Sequence, residues 1–195
     1  MSVKLAKGQK VSLTKTESNL KKIFVGLGWD PVKAKGGFLG GMFGGGESSI
    51  DLDASCLMFD DSKNLVDTVW FRQLRSKDGS VIHSGDNLTG VGDGDDEVIT
   101  VDLTRLPSNV KTLVFTITSF RGQTFDKVES AFCRLVNADN KQEMVKYTLS
   151  DKSKTTAQIM VKVFKQDNEW VVEGLGIPAD GTVQSQLLNV IQPNI

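Results

Sequence analysis

The sequence predicts an all-β antiparallel sandwich or barrel, and two observations carry that prediction. Most segments of the 195-residue chain alternate apolar and polar residues with a period of two, which is the pattern of strands with one buried face. Turn-forming residues separate these segments, as in "KDGS", "LPSN", "NADN" and "QDNE". Many short strands joined in this way are typical of antiparallel sandwiches and barrels.

The individual strands follow from the same alternation. It predicts strands in "KVSLTK", "KIFVGLGWD", "SIDLDASCLMFD", "DTVWFRQL", "EVITVDLTRL", "VKTLVFTITSF", "ESAFCRLVN", "EMVKYTLS", "AQIMVKVFKQ" and "EWVVEGLG", the last four forming two hairpins. Helix signals are few. "TFDKVESAF" favours a short helical turn before its strand, and "TVQSQLLNVI" near the C-terminus has apolar residues at helical spacing. We therefore expect a few short helices, one of them near the C-terminus.

Length and charge limit the classes of function. A chain of this length is most simply one domain, residues 1–195, with two small domains as the alternative. The formal net charge of -1 and the lack of any Lys/Arg block disfavour nucleic-acid binding. The N-terminus lacks the apolar core of a signal peptide, and no run reaches the roughly 18 apolar residues of a membrane span, so we expect a cytoplasmic protein.

The two cysteines lie in apolar, strand-like contexts. Cys56 stands in "ASCLMF" and Cys133 in "AFCRLV", and their spacing fits neither a CxxC motif nor a zinc site. We expect buried, reduced thiols rather than a redox pair.

One glycine-rich segment interrupts the strand pattern. Residues 36–49 read "GGFLGGMFGGGESS" and carry an apolar tip at Phe38, Leu39, Met42 and Phe43. Glycine at this density disfavours regular structure, so we expect a mobile surface insertion. Docking of the apolar tip on a membrane or a partner is the alternative.

Acidic side chains concentrate in one loop. Residues 85–97, "GDNLTGVGDGDDE", contain five acidic side chains and no basic one. Two carboxylates about 4 Å apart repel by roughly 4 kcal/mol at an effective dielectric constant near 20. A folded loop that gathers them therefore needs water, a partner's cations or a bound metal ion.

Further carboxylates lie near strand ends. Asp30 ends "GLGWD", and Asp51 and Asp53 lie in "IDLDAS". Residues two apart in a strand share a face, so Asp51 and Asp53 project together although Asp is rare in strands and the two charges repel. A hard cation such as calcium would relieve this repulsion with oxygen ligands, whereas zinc prefers imidazole and thiolate.

These residues together form the predicted ligand set. Its members supply side-chain oxygens or, at the glycine, a backbone carbonyl in a tight loop: Asp30, Asp51, Asp53, Asp86, Asn87, Gly90, Asp93, Asp95, Asp96 and Glu97. The loop is not an EF-hand, because its flanks "SVIHS" and "VITVDL" alternate like strands. A solvated acidic hairpin loop is the alternative, and the carboxylates outside the loop favour metal over it.

Catalytic signals are weak. His83, the only histidine, has no Ser/His/Asp or Cys/His spacing around it, and we expect it in a strand near the acidic loop. Paired carboxylates also serve glycosidases, but nothing here separates an acid from a base, and aromatic residues are few. Trp29, beside Asp30, is expected in the core.

Several motifs together resemble the TerD family of tellurite-resistance and general stress proteins. They are "VSLTK", "VGLGWD", "DLDAS", "DGSVIHSGDNLTGVGDGDDE", "FDKVESAFCRLVN" and "WVVEGLG", in this order along essentially the whole chain. The insertion "GFLGGMFGGG" is most similar to the TerZ branch of the family.

The resemblance implies a two-sheet β-sandwich in the cytoplasm that binds Ca2+, more than one ion being expected, and has no enzymatic activity. It places the family's acidic motifs on the predicted ligand set. It also implies other Ter-family proteins as partners, with a membrane-associated Ter complex among them, and a position peripheral to the inner membrane face as the alternative to a purely cytoplasmic one.

The residues favour calcium-dependent assembly or signalling under stress over direct detoxification. Tellurite is an oxyanion that an acidic loop repels, and buried thiols reduce it poorly, so no direct tellurite binding is expected. Two other functions stay open at this point. One is a metal-dependent hydrolase that uses the same carboxylates, and the other is a metal-free interaction scaffold.

Overall fold

The computed structural model describes residues 2–31, 51–85, 94–149 and 152–195. These ranges contain twelve strands: β1 Val3–Leu5, β2 Lys10–Ser12, β3 Lys22–Pro31, β4 Leu52–Phe59, β5 Leu65–Val69, β6 Val81–His83, β7 Glu97–Asp102, β8 Thr112–Ser119, β9 Val128–Asn137, β10 Glu143–Thr148, β11 Ala157–Gln166 and β12 Glu169–Ala179. The described helices are short: α1 Leu13–Thr16, α2 Leu188–Ile191 and 3-10 turns at Phe125–Lys127, Gln184–Leu187 and Gln192–Asn194.

The strands form two six-stranded sheets. Sheet A has the order β1-β10-β9-β3-β7-β6, and sheet B has the order β2-β12-β11-β8-β4-β5. The predicted all-β sandwich is confirmed, and the barrel alternative is wrong because each sheet ends at its own edge strands. Among the described strands, one pair departs from the antiparallel pattern, since β1 runs parallel to β10.

The main core lies between the two sheets. Alternate residues of β4, including Ala54, Cys56 and Met58, point into it. The other face of β4 is buried as well, because Leu57 and Phe59 pack under the C-terminal helical segment that contains Ile191. This second core explains why β4 is buried along its whole length, where the sequence pattern predicted a half-buried strand.

The predicted helical segments are both confirmed, and so are the two hairpins. The turn of the β11–β12 hairpin has positive φ at Asp167 (49°) and Asn168 (64°), which matches the right-handed twist of the flanking strands. Asn and Asp tolerate this conformation better than most residues.

The predictions of strands through "KVSLTK" and "DTVWFRQL" are wrong after Ser12 and after Val69, where β2 and β5 end. The Ser12 Oγ atom accepts a hydrogen bond from the backbone N–H of Lys15 at 3.1 Å and so caps α1. The sequence pattern also missed β1, which has three residues.

Four further sequence-based expectations have definite outcomes. Trp29, Cys56 and Cys133 are buried as predicted, and His83 lies in β6. The glycine-rich insertion 36–49 lies outside the described residues. Among the residues that are described, no helix is long and apolar enough to cross a bilayer.

Candidate functional site

The candidate site lies where β3 ends and β7 begins. The two strands are antiparallel, with Leu27 opposite Glu97, and the backbone N–H of Asp96 donates to the Leu27 carbonyl oxygen at 2.9 Å. This pairing brings Asp95, Asp96 and Glu97 beside the end of β3, where Asp30 stands. We call these four residues, Asp30, Asp95, Asp96 and Glu97, the acidic cluster.

Asp96 is the carboxylate that the cluster affects most. Its Oδ2 atom accepts a hydrogen bond from the backbone N–H of Trp29 at 2.8 Å. The pKa of Asp96 is raised to about 6: burial is the main cause, the Trp29 hydrogen bond acts against it, and the negative charges of Asp30, Glu97 and Asp95 add to the rise. The negative charge of Asp96 is therefore disfavoured in the fold without a cation, and a cation bound beside Asp96 would be stabilised by that charge.

Asp95 points to the outer face of sheet A and forms a two-pronged ion pair. Its Oδ1 and Oδ2 atoms accept from the Nε and NH2 atoms of Arg134 at 2.7 and 2.9 Å. The same guanidinium reaches Glu143 at 3.4 Å. The carboxylate of Asp95 is thus already held by a protein cation.

Two glycines of β3 make room for this arrangement. A Cβ atom on Gly26 would overlap the carboxylate of Asp95, and one on Gly28 would overlap Phe132 and the Gly94 carbonyl oxygen. The spacing of the glycines in "VGLGWD" is therefore explained by close approach of the chain that leads into β7.

Glu97 points the other way, into the sandwich. Its Oε2 atom accepts from the backbone N–H of Ala54 at 2.7 Å and lies 3.2 Å from the Nε2 atom of His83. The same Nε2 atom lies 3.2 Å from the Ala54 carbonyl oxygen. The backbone N–H of Gly85 donates to Nδ1 at 3.0 Å, which places the ring hydrogen on Nε2.

The His83–Glu97 pair bonds backbone groups at the edge of β4 that β5 does not reach. The pairing of β4 with β5 reaches only as far as Cys56 opposite Val69, so Ala54 lies beyond the end of β5. Side chains from sheet A bond both backbone groups of Ala54 there. Nothing in the sequence indicates this contact beyond the expectation that His83 lies in a strand near the acidic loop.

The three remaining described members of the predicted ligand set each contact a different part of the chain. The Asp30 Oδ2 atom accepts from the Ser130 hydroxyl at 2.6 Å, and the Asp51 Oδ2 atom lies 3.1 Å from the Arg121 Nε atom. Asp53 is buried and lies opposite Thr118 of β8. Asp53 lies in β4 whereas Asp51 precedes it, so the expected sharing of one face by the two carboxylates stays a prediction.

The predicted ligand set is thus only partly placed. Asp86, Asn87, Gly90 and Asp93 lie outside the described residues, and within the described ones no group of three His, Cys, Asp or Glu side chains is arranged to hold a metal ion. The ten-residue set stays a prediction. The donor chemistry that is described consists of carboxylate oxygens, which suits a hard cation rather than a thiolate-seeking metal.

A family comparison covers nearly the whole chain. The model of the TerD domain matches residues 1–188. The chain belongs to the TerD family. Among its curated relatives, the tellurium resistance protein TerZ of Serratia marcescens is 52% identical over 174 residues, which are 89% of each chain. This similarity confirms the resemblance to the TerZ branch.

Other TerD-family relatives carry stress-response names. The stress response protein SCP2 of Bacillus subtilis (strain 168) is 42% identical, with 98% of each chain covered. The crystal structure of a homologue of telluride resistance protein (TerD) from Streptomyces coelicolor A3(2) superposes with a TM-score of 0.69, covering 89% of this chain and 98% of that one. At 19% identity this likeness shows a common fold.

Proposed function

We propose that this chain is a calcium-binding, non-enzymatic stress-response protein of the tellurite-resistance type, acting in Ca2+-dependent assembly or signalling. The observation that carries the proposal is the environment of Asp96, whose carboxylate is surrounded by the charges of Asp30, Asp95 and Glu97. The names of its TerD-family relatives, which are resistance and stress proteins, support the physiological side.

The cation would be held by the predicted ligand set. Asp96 is its central described member, and Asp30 lies beside it on the exposed side. The predicted ligands of the loop, Asp86, Asn87, Gly90 and Asp93, would complete the six to eight oxygens that Ca2+ takes. The bound ion would supply positive charge that relieves the repulsion in the acidic cluster.

The contacts of His83 support a role without catalysis. Its side chain is fully buried, with Nδ1 bonded to Gly85 and Nε2 placed between Ala54 and Glu97. A general base has to reach the proton that it removes, and both ring nitrogens here face protein groups. The one histidine therefore offers no general base to a metal-dependent hydrolase, which would have to rely on the carboxylates alone.

The cysteines support a role other than reduction of tellurite. Cys56 and Cys133 are fully buried, and burial raises the pKa of both thiols. The reactive thiolate is disfavoured in such surroundings. The proposal therefore contains no direct chemistry on tellurite.

Partners are proposed from the family resemblance. They are other Ter-family proteins, including a membrane-associated complex, met by this chain in the cytoplasm. Calcium would act on such an assembly by reducing the negative charge of the surface around the acidic cluster. This surface would then no longer repel a partner, or would attract it.

The proposal is tested by thermal unfolding and by assembly, each with Ca2+ and with EDTA. A ligand that binds only the folded state at 100 times its Kd stabilises that state by about 2.7 kcal/mol, so the melting temperature should rise with calcium. Capture of purified Ter-family partners should likewise need calcium. Equal melting temperatures with Ca2+ and EDTA would contradict calcium binding, and equal capture would favour the metal-free scaffold.

A further inference from the structure

A surface cluster of aromatic and arginine side chains lies at the ends of β5 and β8. It consists of Trp70, Phe71, Arg72, Phe120 and Arg121, and we call it the aromatic–arginine patch. The rings of Trp70 and Phe71 meet edge to face at 4.9 Å between centroids, and those of Phe71 and Phe120 at 5.7 Å. The patch is thus one continuous surface built from two loops.

Arg72 is held in the middle of the rings. The carbon of its guanidinium lies 5.6 Å from the centroid of Trp70, 5.2 Å from that of Phe71 and 5.5 Å from that of Phe120. Reciprocal backbone hydrogen bonds between Trp70 and Gln73, at 3.1 and 2.9 Å, close the turn that carries it. The charge is therefore positioned by cation–π contacts while Arg72 itself stays exposed.

The patch combines exposed apolar area with positive charge. Phe120 is 43% exposed and the side chain of Arg121 is 55% exposed. The positive charge is local, because the whole chain has a formal net charge of -1. Aromatic rings beside guanidinium groups match the boundary of a bilayer, where rings enter the headgroup region and arginines meet phosphates.

We propose that the aromatic–arginine patch binds the surface of a membrane that contains anionic phospholipids. Phe71 and Phe120 would enter the boundary between headgroups and acyl chains. Arg72 would pair with lipid phosphate, since its planar guanidinium group suits phosphate. In the part of the chain that the structure describes, no carboxylate forms an ion pair with Arg72. Arg121 would contribute less, because Asp51 already lies 3.1 Å from its Nε atom.

The patch is tested by sedimentation with vesicles of phosphatidylcholine, with and without phosphatidylserine, in EDTA. The wild-type chain should bind the anionic vesicles and bind them less at high salt. Arg72→Ala should weaken partitioning about fivefold, as expected for one arginine at an anionic surface, and Phe120→Ala should weaken it by a similar factor. Because both residues are exposed, both variants should melt close to the wild type.

Two matched variants serve as controls. Arg105→Ala removes an exposed arginine outside the patch, and Leu65→Ala removes an apolar side chain that is 38% exposed on β5. Both should bind vesicles like the wild type.

Three results would overturn the proposal. These are equal binding by wild type, Arg72→Ala and Phe120→Ala, equal binding to neutral and anionic vesicles, and self-association that depends on the patch without any vesicle binding. The last would assign the patch to a second copy of the chain. Because the assay contains EDTA, its outcome is independent of the proposed calcium site.

Discussion

His83 and Glu97 form a fully buried pair, with 3.2 Å between the Nε2 and Oε2 atoms, that bonds both backbone groups of Ala54. The pair joins the acidic cluster in sheet A to the part of β4 in sheet B that pairs with β8 but lies beyond the end of β5. Glu97 is therefore a structural contact of the sandwich as well as a predicted ligand.

Glu97→Ala should destabilise the fold strongly. Removing one partner of a buried pair typically costs about 3–5 kcal/mol, because the other groups are left desolvated without a bond. Urea unfolding in EDTA measures the loss without any contribution from metal. Glu129→Ala, which removes an exposed glutamate of β9, is the control, and a loss for Glu97→Ala no larger than this control would contradict the structural role.

Gly28→Ala should destabilise by about 1–3 kcal/mol, the usual cost of an added methyl group in a tightly packed place. The new Cβ atom would meet the Gly94 carbonyl oxygen and Phe132. At Gly26 the obstacle is the side chain of Asp95, which can be removed by mutation.

A double-mutant cycle separates the two cases. Gly26→Ala should cost less in an Asp95→Ala background than in the wild type, because the overlapping carboxylate is gone. Gly28→Ala should cost the same in both backgrounds, since its obstacles remain. Strict additivity of Gly26→Ala and Asp95→Ala in urea unfolding would show that the contact does not limit this position.

The pH dependence of the free energy of unfolding should include a contribution from Asp96. Burial raises its pKa from 3.8 to about 6 in the folded state, so between these values the folded state binds more protons than the unfolded one. Its contribution to stability is therefore present below about pH 4 and is lost as the pH rises through about 6. Without metal, Asp96→Asn should then be more stable than the wild type at pH 7.

Asp102→Asn is a control of opposite sign. Burial raises the pKa of Asp102, but hydrogen bonds from Thr104 together with the charge of Lys22 lower this pKa overall. Neutralising this residue should reduce stability at pH 7. Carboxyl-carbon NMR titration gives the direct check, and an Asp96 midpoint near 4 would contradict the proposed environment.

Both thiols should be inert in the folded protein. Cys56 and Cys133 are fully buried, and burial raises the pKa of each. Reaction with a thiol reagent should require global unfolding. In a large excess of reagent, both residues should therefore react at the same rate, which is the rate of unfolding. Rapid modification of either cysteine under native conditions would reopen a redox role.

The sequence pattern predicted the fold well because period-two alternation marks each long strand. It failed at "KVSLTK", where the side chain of Ser12 ends the strand by capping α1, and at β4, where an external helical segment buries the second face. Both failures involve contacts that alternation does not encode. A capping serine is a local signal, whereas the helical cover comes from more than a hundred residues further along the chain.

The candidate site was predictable in part. The clustering of Asp95, Asp96 and Glu97 was visible as a run of acids, but their directions were not. Asp95 faces Arg134 on one side of sheet A and Glu97 faces Ala54 on the other. Residues two apart in a regular strand would share a face, but Asp95 precedes β7, which begins at Glu97. The roles of Gly26 and Gly28 become visible only when the neighbouring strand is in place.

Calorimetric titration of the metal-free chain tests whether the predicted ligand set, with Asp96 as its central described member, binds Ca2+. The wild type should give saturable heat, and Asp61→Asn, which changes an exposed aspartate in the turn after β4, should give the same heat. Asp96→Asn should bind Ca2+ with an affinity about tenfold lower or worse. No heat with the wild type, or equal affinity of the wild type and Asp96→Asn, would contradict calcium binding by this set.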